Sequence, residues 1–116
     1  MIQCKRVYED AAENDGYRVL VDRLWPRGIK KSDLACDEWC KEVAPSTELR
    51  KAFHGQTLDF AHFSKAYRAE LDKQTDEVKR LLHLSHQQTL TLLYGARDTQ
   101  QNHALVLADY LRHITL

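Results

Sequence analysis

Residues 17–28, which read YRVLVDRLWPRG, constrain the fold more than any other stretch of the chain. The apolar run Val19-Leu20-Val21 leads into Asp22-Arg23 and then Leu24-Trp25-Pro26-Arg27-Gly28. Alternate positions place Val19 and Val21 on one face and Leu20 and Leu24 on the other. Apolar residues on both faces imply that both faces are covered, as in a central strand of an α/β sheet. Pro26 lacks an N–H donor and Gly28 permits a turn, so the strand is expected to stop near Leu24 or Trp25. On an extended strand Asp22 and Arg23 point to opposite faces, so only one of them need face a ligand.

The rest of the chain supplies packing for such a strand. Residues 2–8 (Ile2, Cys4, Val7, Tyr8) read as a first strand interrupted by Lys5-Arg6. The polar segment 9–16 ends in the turn signal Asn14-Asp15-Gly16. It fits a hairpin and fits equally a short crossover between parallel strands. Residues 29–44 have the weakest pattern, and 37–43 (DEWCKEV) fit a short helix with Trp39 inward. Ser46 suits an N-cap, Leu49 and Phe53 are a helical turn apart, and Gly55 closes that helix. From Thr57 or Asp59, the residues Phe60, Phe63, Tyr67 and Leu71 follow the helical period. Val78, Leu81 and Leu82 resume an apolar face after the polar stretch 72–77, so one kinked helix and two successive helices fit equally well. Residues 89–94 (TLTLLY) are a third strand. Asp98 or Thr99 can cap a last helix over 100–113, with Ala104, Leu107, Ala108 and Leu111 as its buried stripe. Strands alternating with helices indicate a single α/β domain over residues 1–116, a small sandwich with a mainly parallel sheet and flanking helices.

Composition narrows the function classes. With 43% apolar and 29% charged residues in 116, the chain is expected to fold around one core without staples. No stretch has the roughly 18 uncharged apolar residues of a membrane span, and the first residues lack an apolar run of signal-peptide length. Three cysteines without framework spacing fit a reducing compartment, so a cytoplasmic location is expected. The 17 basic and 17 acidic residues balance, which argues against a polynucleotide binder of the usual basic kind. Locally, residues 18–31 hold Arg18, Arg23, Arg27, Lys30 and Lys31 against Asp22 alone. Such a patch on a neutral chain suits a small anion better than a duplex.

In sheets of this kind ligands bind at the carboxyl ends of the strands. Those ends carry Asp22-Arg23 and residues 94–98, and the last helix begins nearby with Asn102 and His103. Asp22 and His103 are the candidate proton-transfer pair. Arg23, Arg27 and Arg50 offer planar forks for phosphate or carboxylate. Trp25 offers a stacking face, and Tyr94 and Asp98 complete the candidate binding set. Each has a structural alternative: Arg50 paired with an acid such as Glu70, Trp25 as a turn anchor, His103 packed on a backbone carbonyl. No glycine spacing of the Walker or Rossmann kind occurs, and no cofactor is expected. Cys36-x-x-x-Cys40 and His83-x-x-His86 lie in separate segments without a four-ligand set, so no metal is expected either. One functional reading is an enzyme, a hydrolase or transferase, that binds a small anionic or phosphorylated ligand. The alternative is a non-catalytic nucleic-acid- or protein-binding module that uses the patch at 18–31. No membrane partner is expected, and the pattern leaves the oligomeric state open.

Four blocks carry a family resemblance. VDRLWPRG at 21–28, APS-x-x-LR at 44–50, F-x-x-x-Y-x-x-EL at 63–71 and TLLYGARD-x-x-x-NHA at 91–104 resemble the YeaO-like branch of domain-of-unknown-function family 488. They fall in that family's order and span nearly the whole chain. The resemblance implies a bacterial cytosolic α/β protein whose family has no characterised activity. Longer relatives in the wider family are similar, with Asp-x-Arg after one strand and an acid plus Cys-His-Arg after a later one. The matching stretches here are Asp22-Arg23, and Asp98 with Asn102-His103-Ala104. Asn102 and Ala104 stand where that branch has Cys and Arg, so thiol chemistry suspected there does not carry over.

Overall fold

The computed structural model describes residues 1–114. Four strands, β1 (Ile2–Arg6), β2 (Tyr17–Leu20), β3 (Glu38–Trp39) and β4 (Leu90–Tyr94), form one sheet in the order β1-β4-β2-β3. Every pairing is parallel. The four helices are α1 (Thr47–His54), α2 (Phe60–Leu71), α3 (Thr75–Gln87) and α4 (His103–His113). The open choice between hairpin and crossover resolves to a crossover: β4 lies between β1 and β2, with Cys4 and Val19 both in register with Leu92.

Period-two alternation sorts the strand side chains into two apolar layers. Leu90, Leu92, Tyr94, Val19 and Ile2 join the main core with Phe63, Tyr67, Leu71, Leu81 and Leu107 from α2, α3 and α4. Leu20 and Leu93 face the other way, with Val7, onto Trp25, Ile29, Leu34, Cys36 and Trp39. The central strands are therefore covered on both faces, by helices on one and by the loop at 21–37 on the other. Trp25 and Trp39 meet edge to face at 5.2 Å, and the Lys41 ammonium sits 4.1 Å from the Trp39 ring centre. Aromatic pairs of this kind add roughly 0.5–1.5 kcal/mol beyond area burial.

Several boundaries differ from the sequence reading. β2 ends at Leu20, and Leu24 is 61% exposed instead of packed on the second face. Val21 is buried and its N–H still reaches the Leu93 carbonyl at 3.0 Å, but the chain then leaves the sheet. Residues 38–39 pair with β2 as β3, and a 3-10 turn, Lys41–Val43, follows where a short helix was expected. Ser46 does cap α1, accepting the Leu49 N–H. The left-handed residue after α1 is Gln56 (φ 61°), one position beyond Gly55. α2 and α3 are separate helices, and α4 is capped by Asn102, not by Asp98 or Thr99.

Glycine is required where β2 begins. Gly16 has φ 64°, and a Cβ there would lie 2.2 Å from the Thr89 carbonyl oxygen. The same region holds a deeply buried charge cluster. Asp15, 2% exposed, accepts from Lys5 Nζ at 3.1 Å, from the Ala12 N–H at 3.0 Å and from Arg18. Burial pushes the Asp15 carboxyl up, but the Ala12 amide, Lys5 and Arg18 together outweigh it and hold it below the ordinary carboxylate range.

Candidate functional site

Because all strands run parallel, their carboxyl ends open at one edge of the sheet, and the segments that leave the strands gather there. The end of β1 gives Arg6 and Tyr8, the segment after β2 gives residues 22–27, and the loop after β4 gives residues 95–97. α1 contributes Arg50, Phe53 and His54, and the start of α4 contributes Asn102 and His103. These line a cleft of about 730 Å³, a size typical of small-molecule sites.

Five of the chain's nine arginines line this cleft: Arg6, Arg23, Arg27, Arg50 and Arg97. Among the described residues none of the five forms an ion pair with a carboxylate. Outside the cleft the opposite holds, with Arg18 on Asp15, Arg68 on Asp109, and Arg80 on Glu38 and Glu77. Arg112 donates to the Ile2 carbonyl. Within the cleft, two guanidiniums are oriented by backbone carbonyls. Arg23 donates to Pro45 O at 3.1 Å and to Ala44 O at 3.3 Å, and Arg6 Nε donates to Ala96 O at 2.9 Å. Arg50 has no partner at all at its buried Nε. Glu70, one acid that the structural alternative offered Arg50, instead accepts the Ser46 N–H at 2.8 Å. Carbonyl anchors fix a fork without cancelling its charge, which is what an anion site needs.

Asp22 and His103 meet at the floor, their side chains 18% and 14% exposed. His103 Nε2 lies 2.8 Å from Asp22 Oδ1 and 3.2 Å from the Val21 carbonyl. A carbonyl can only accept, so Nε2 carries the ring proton. The ring edge is aligned with that carbonyl, and Oδ1 is left without a well-directed donor. Asp22 Oδ2 accepts the Gly95 N–H at 2.9 Å, and a Cβ on Gly95 would lie 3.0 Å from that oxygen. Glycine thus allows the loop after β4 to approach the carboxylate. The imidazole sits edge-on to Tyr67, 6.3 Å between ring centres. α4 starts at the cleft, so its positive end adds to the field.

Six of the eight residues singled out from sequence, Asp22, Arg23, Trp25, Arg27, Arg50 and His103, line the cleft. Asp22 and Arg23 do so together. The expected split across the sheet fails because the strand has already ended at Leu20. Tyr94 is buried in the main core at 4% exposure and does not line the cleft, and burial pushes its phenol up. Asp98 is also off the cleft. Its Oδ1 accepts the Gln100 and Gln101 N–H groups, which shapes the turn into α4. Trp25 anchors the turn, its indole N–H donating to Ile29 O at 2.7 Å, and it also lines the cleft. Arg18 is withdrawn from the basic patch, 6% exposed and paired with Asp15.

Arg6, Tyr8, Arg97 and Phe53 join the cleft without having been singled out by sequence. An arginine at or just past the end of each long strand (Arg6, Arg23, Arg97) was the available signal, hidden because Lys5-Arg6 read only as a break in a pattern. Tyr8 OH donates to Arg27 O at 2.9 Å and ties the β1 end to the turn. A second cluster, Glu38, Cys40 and Glu77, has ligand atoms within 4.8 Å of one another. Arg80 occupies it, with Nη1 2.8 Å from Glu38 Oε1 and Nη2 2.7 Å from Glu77 Oε2. Burial and the neighbouring carboxylates push the Cys40 thiol up to about 12. A cluster that already holds a guanidinium and a protonated thiol does not suit a cation.

The family model described as the inactive DUF488-N3 subclade matches residues 1–115. The chain is 65% identical over 113 residues to the uncharacterized protein YeaO of Escherichia coli (strain K12), covering 97% of this chain and 98% of that one. It is 42% identical over 110 residues to the uncharacterized protein Rv3073c of Mycobacterium tuberculosis (strain ATCC 25618 / H37Rv), covering 95% and 92%. No solved structure matches. No helix is long and apolar enough to cross a membrane among the described residues.

Proposed function

The chain belongs to the inactive DUF488-N3 subclade, and we propose that it binds a small anionic ligand in the strand-end cleft without transforming it. The observation that carries this reading is the sorting of the arginines. Among the described residues three outside the cleft are spent on acids, whereas none of the five inside forms an ion pair, two being anchored by carbonyls and Arg50 keeping an unbonded Nε. Five guanidiniums against Asp22 leave a formal surplus of four positive charges on a chain of zero net charge. The lining has no Ser, Thr or Cys to act as a nucleophile. The thiol at Cys4 donates to the Ala104 carbonyl, and burial pushes it up to about 11, far from a reactive thiolate.

Thermal melting with inorganic and organic phosphates tests the proposal. A ligand at about 100 times its dissociation constant adds about 2.7 kcal/mol of stability. The shift is expected to shrink in Arg50→Ala and to persist in Arg68→Ala, whose site lies elsewhere. An unchanged shift in Arg50→Ala, or no shift with any anion, would overturn it. A second reading, proton transfer to or from the bound ligand, is favoured by the 2.8 Å approach of His103 to Asp22. Under the binding proposal, phosphorus NMR finds the stabilising ligand intact after prolonged incubation. A product that disappears in His103→Gln would favour the second reading.

A further inference from the structure

Five arginines alone would accept any small anion, but the floor of the cleft carries a group that discriminates. Asp22 is the one carboxylate in the lining, and it pairs with none of the five guanidiniums. The Gly95 amide holds one oxygen at 2.9 Å, and the His103 ring lies 2.8 Å from the other without an aligned N–H. Oδ1 is buried, so the oxygen offered to a ligand is Oδ2, which keeps accepting capacity beside the Gly95 N–H. Against bare phosphate or sulfate, such a carboxylate is a cost, because like charges and acceptor oxygens face each other. Against a ligand that also bears hydroxyls, it is a hydrogen-bond acceptor.

Resting on the anion-binding reading above, we infer that the occupant is a hydroxylated phosphate ester, of the sugar-phosphate or nucleotide class. Its phosphate meets the arginines and a hydroxyl donates to Asp22. A phosphate monoester carries nearly two negative charges at neutral pH, which suits the positive surplus better than a single carboxylate does. The cleft of about 730 Å³ holds far more than an oxyanion. Leu24, 61% exposed, and the partly buried Phe53 give it apolar wall for the ester's body.

Calorimetric titration of the full chain with methyl phosphate and ribose 5-phosphate tests this, since both are monoesters and only one bears hydroxyls. A hydrogen bond to a carboxylate is worth a preference of roughly 10-fold to 100-fold for ribose 5-phosphate. In Asp22→Asn the preference is expected to fall to about 2-fold or less, and methyl phosphate is expected to bind tighter than in the wild type, because a like charge is gone. Equal binding of the two esters by the wild-type chain would overturn the inference and leave the anion-binding reading standing. That comparison needs no variant, so it holds even where Asp22→Asn fails to fold. A preference that survives in folded Asp22→Asn would overturn the role of Asp22. Binding of neither ester, nor of inorganic phosphate, would overturn both readings together.

Discussion

At the scale of single residues, the cleft leaves buried polar atoms of Asp22 and Arg50 without hydrogen-bond partners. Arg50 sits among four other guanidiniums with a buried, unbonded Nε. Arg50→Ala is therefore expected to leave the ligand-free melting temperature unchanged or raised, while weakening anion binding by about 10-fold to 100-fold. Asp15 behaves in the opposite way. Its carboxylate is 2% exposed and paired with Arg18 and Lys5. Breaking a buried pair from one side costs roughly 3–5 kcal/mol, so Asp15→Asn is expected to lose about that much at neutral pH. The Asp15 carboxyl is held below its unfolded value, so its contribution is full above that value, about 3.9, and is lost as pH falls through the folded one. Chemical denaturation of the two proteins is expected to show a constant gap from about pH 7 to 5 that narrows below about pH 4. A gap that widens in acid would contradict the assignment. Asp22, Arg23, Arg27 and His103 were legible as cleft residues from their types and their places at strand ends. Arg18 was not legible as a structural residue, because its partner Asp15 looked like part of a surface turn.

At the scale of elements, local chemistry was readable and long-range ties were not. Ser46 and Asp59 cap α1 and α2 as their residue types suggested. The start of α4 was misplaced because Asp98 and Thr99 are equally good caps by type. The structure uses Asn102, whose Oδ1 accepts the Leu105 N–H at 3.0 Å and whose Nδ2 donates to Asp98 O at 2.9 Å. Asn102→Ala is expected to cost about 1 kcal/mol or more of stability. It is also expected to weaken phosphate binding, since it frees the turn that places His103, and a denaturant titration beside a binding curve reads both effects. The break between α2 and α3 is tied by Tyr110, whose OH donates to Asp72 Oδ1 at 2.6 Å. That contact spans 38 residues, and no helical periodicity within 57–86 reveals it.

At the scale of the whole molecule, parallel pairing makes the cleft. A hairpin between β1 and β2, which the turn at 14–16 also allowed, would send Arg6 and Arg23 to opposite edges of the sheet. β4 instead inserts between them and brings Arg97 to the same edge. The place of β4 is decided by pairings more than 70 residues apart in the chain, so the apolar runs announced the strands without their order. The chain's zero net charge likewise hid a strongly positive cleft. The nine arginines thus divide into five that line the cleft and four tied to acids or a carbonyl elsewhere in the fold. Nitrogen-15 NMR of the arginine Nε–H groups, titrated with ribose 5-phosphate and separately with pyrophosphate, tests that division directly. Signals of Arg6, Arg23, Arg27, Arg50 and Arg97 are expected to move together with the Gly95 amide, while those of Arg18, Arg68, Arg80 and Arg112 stay in place. Shifts spread evenly over all nine, or confined to the second group, would contradict the account.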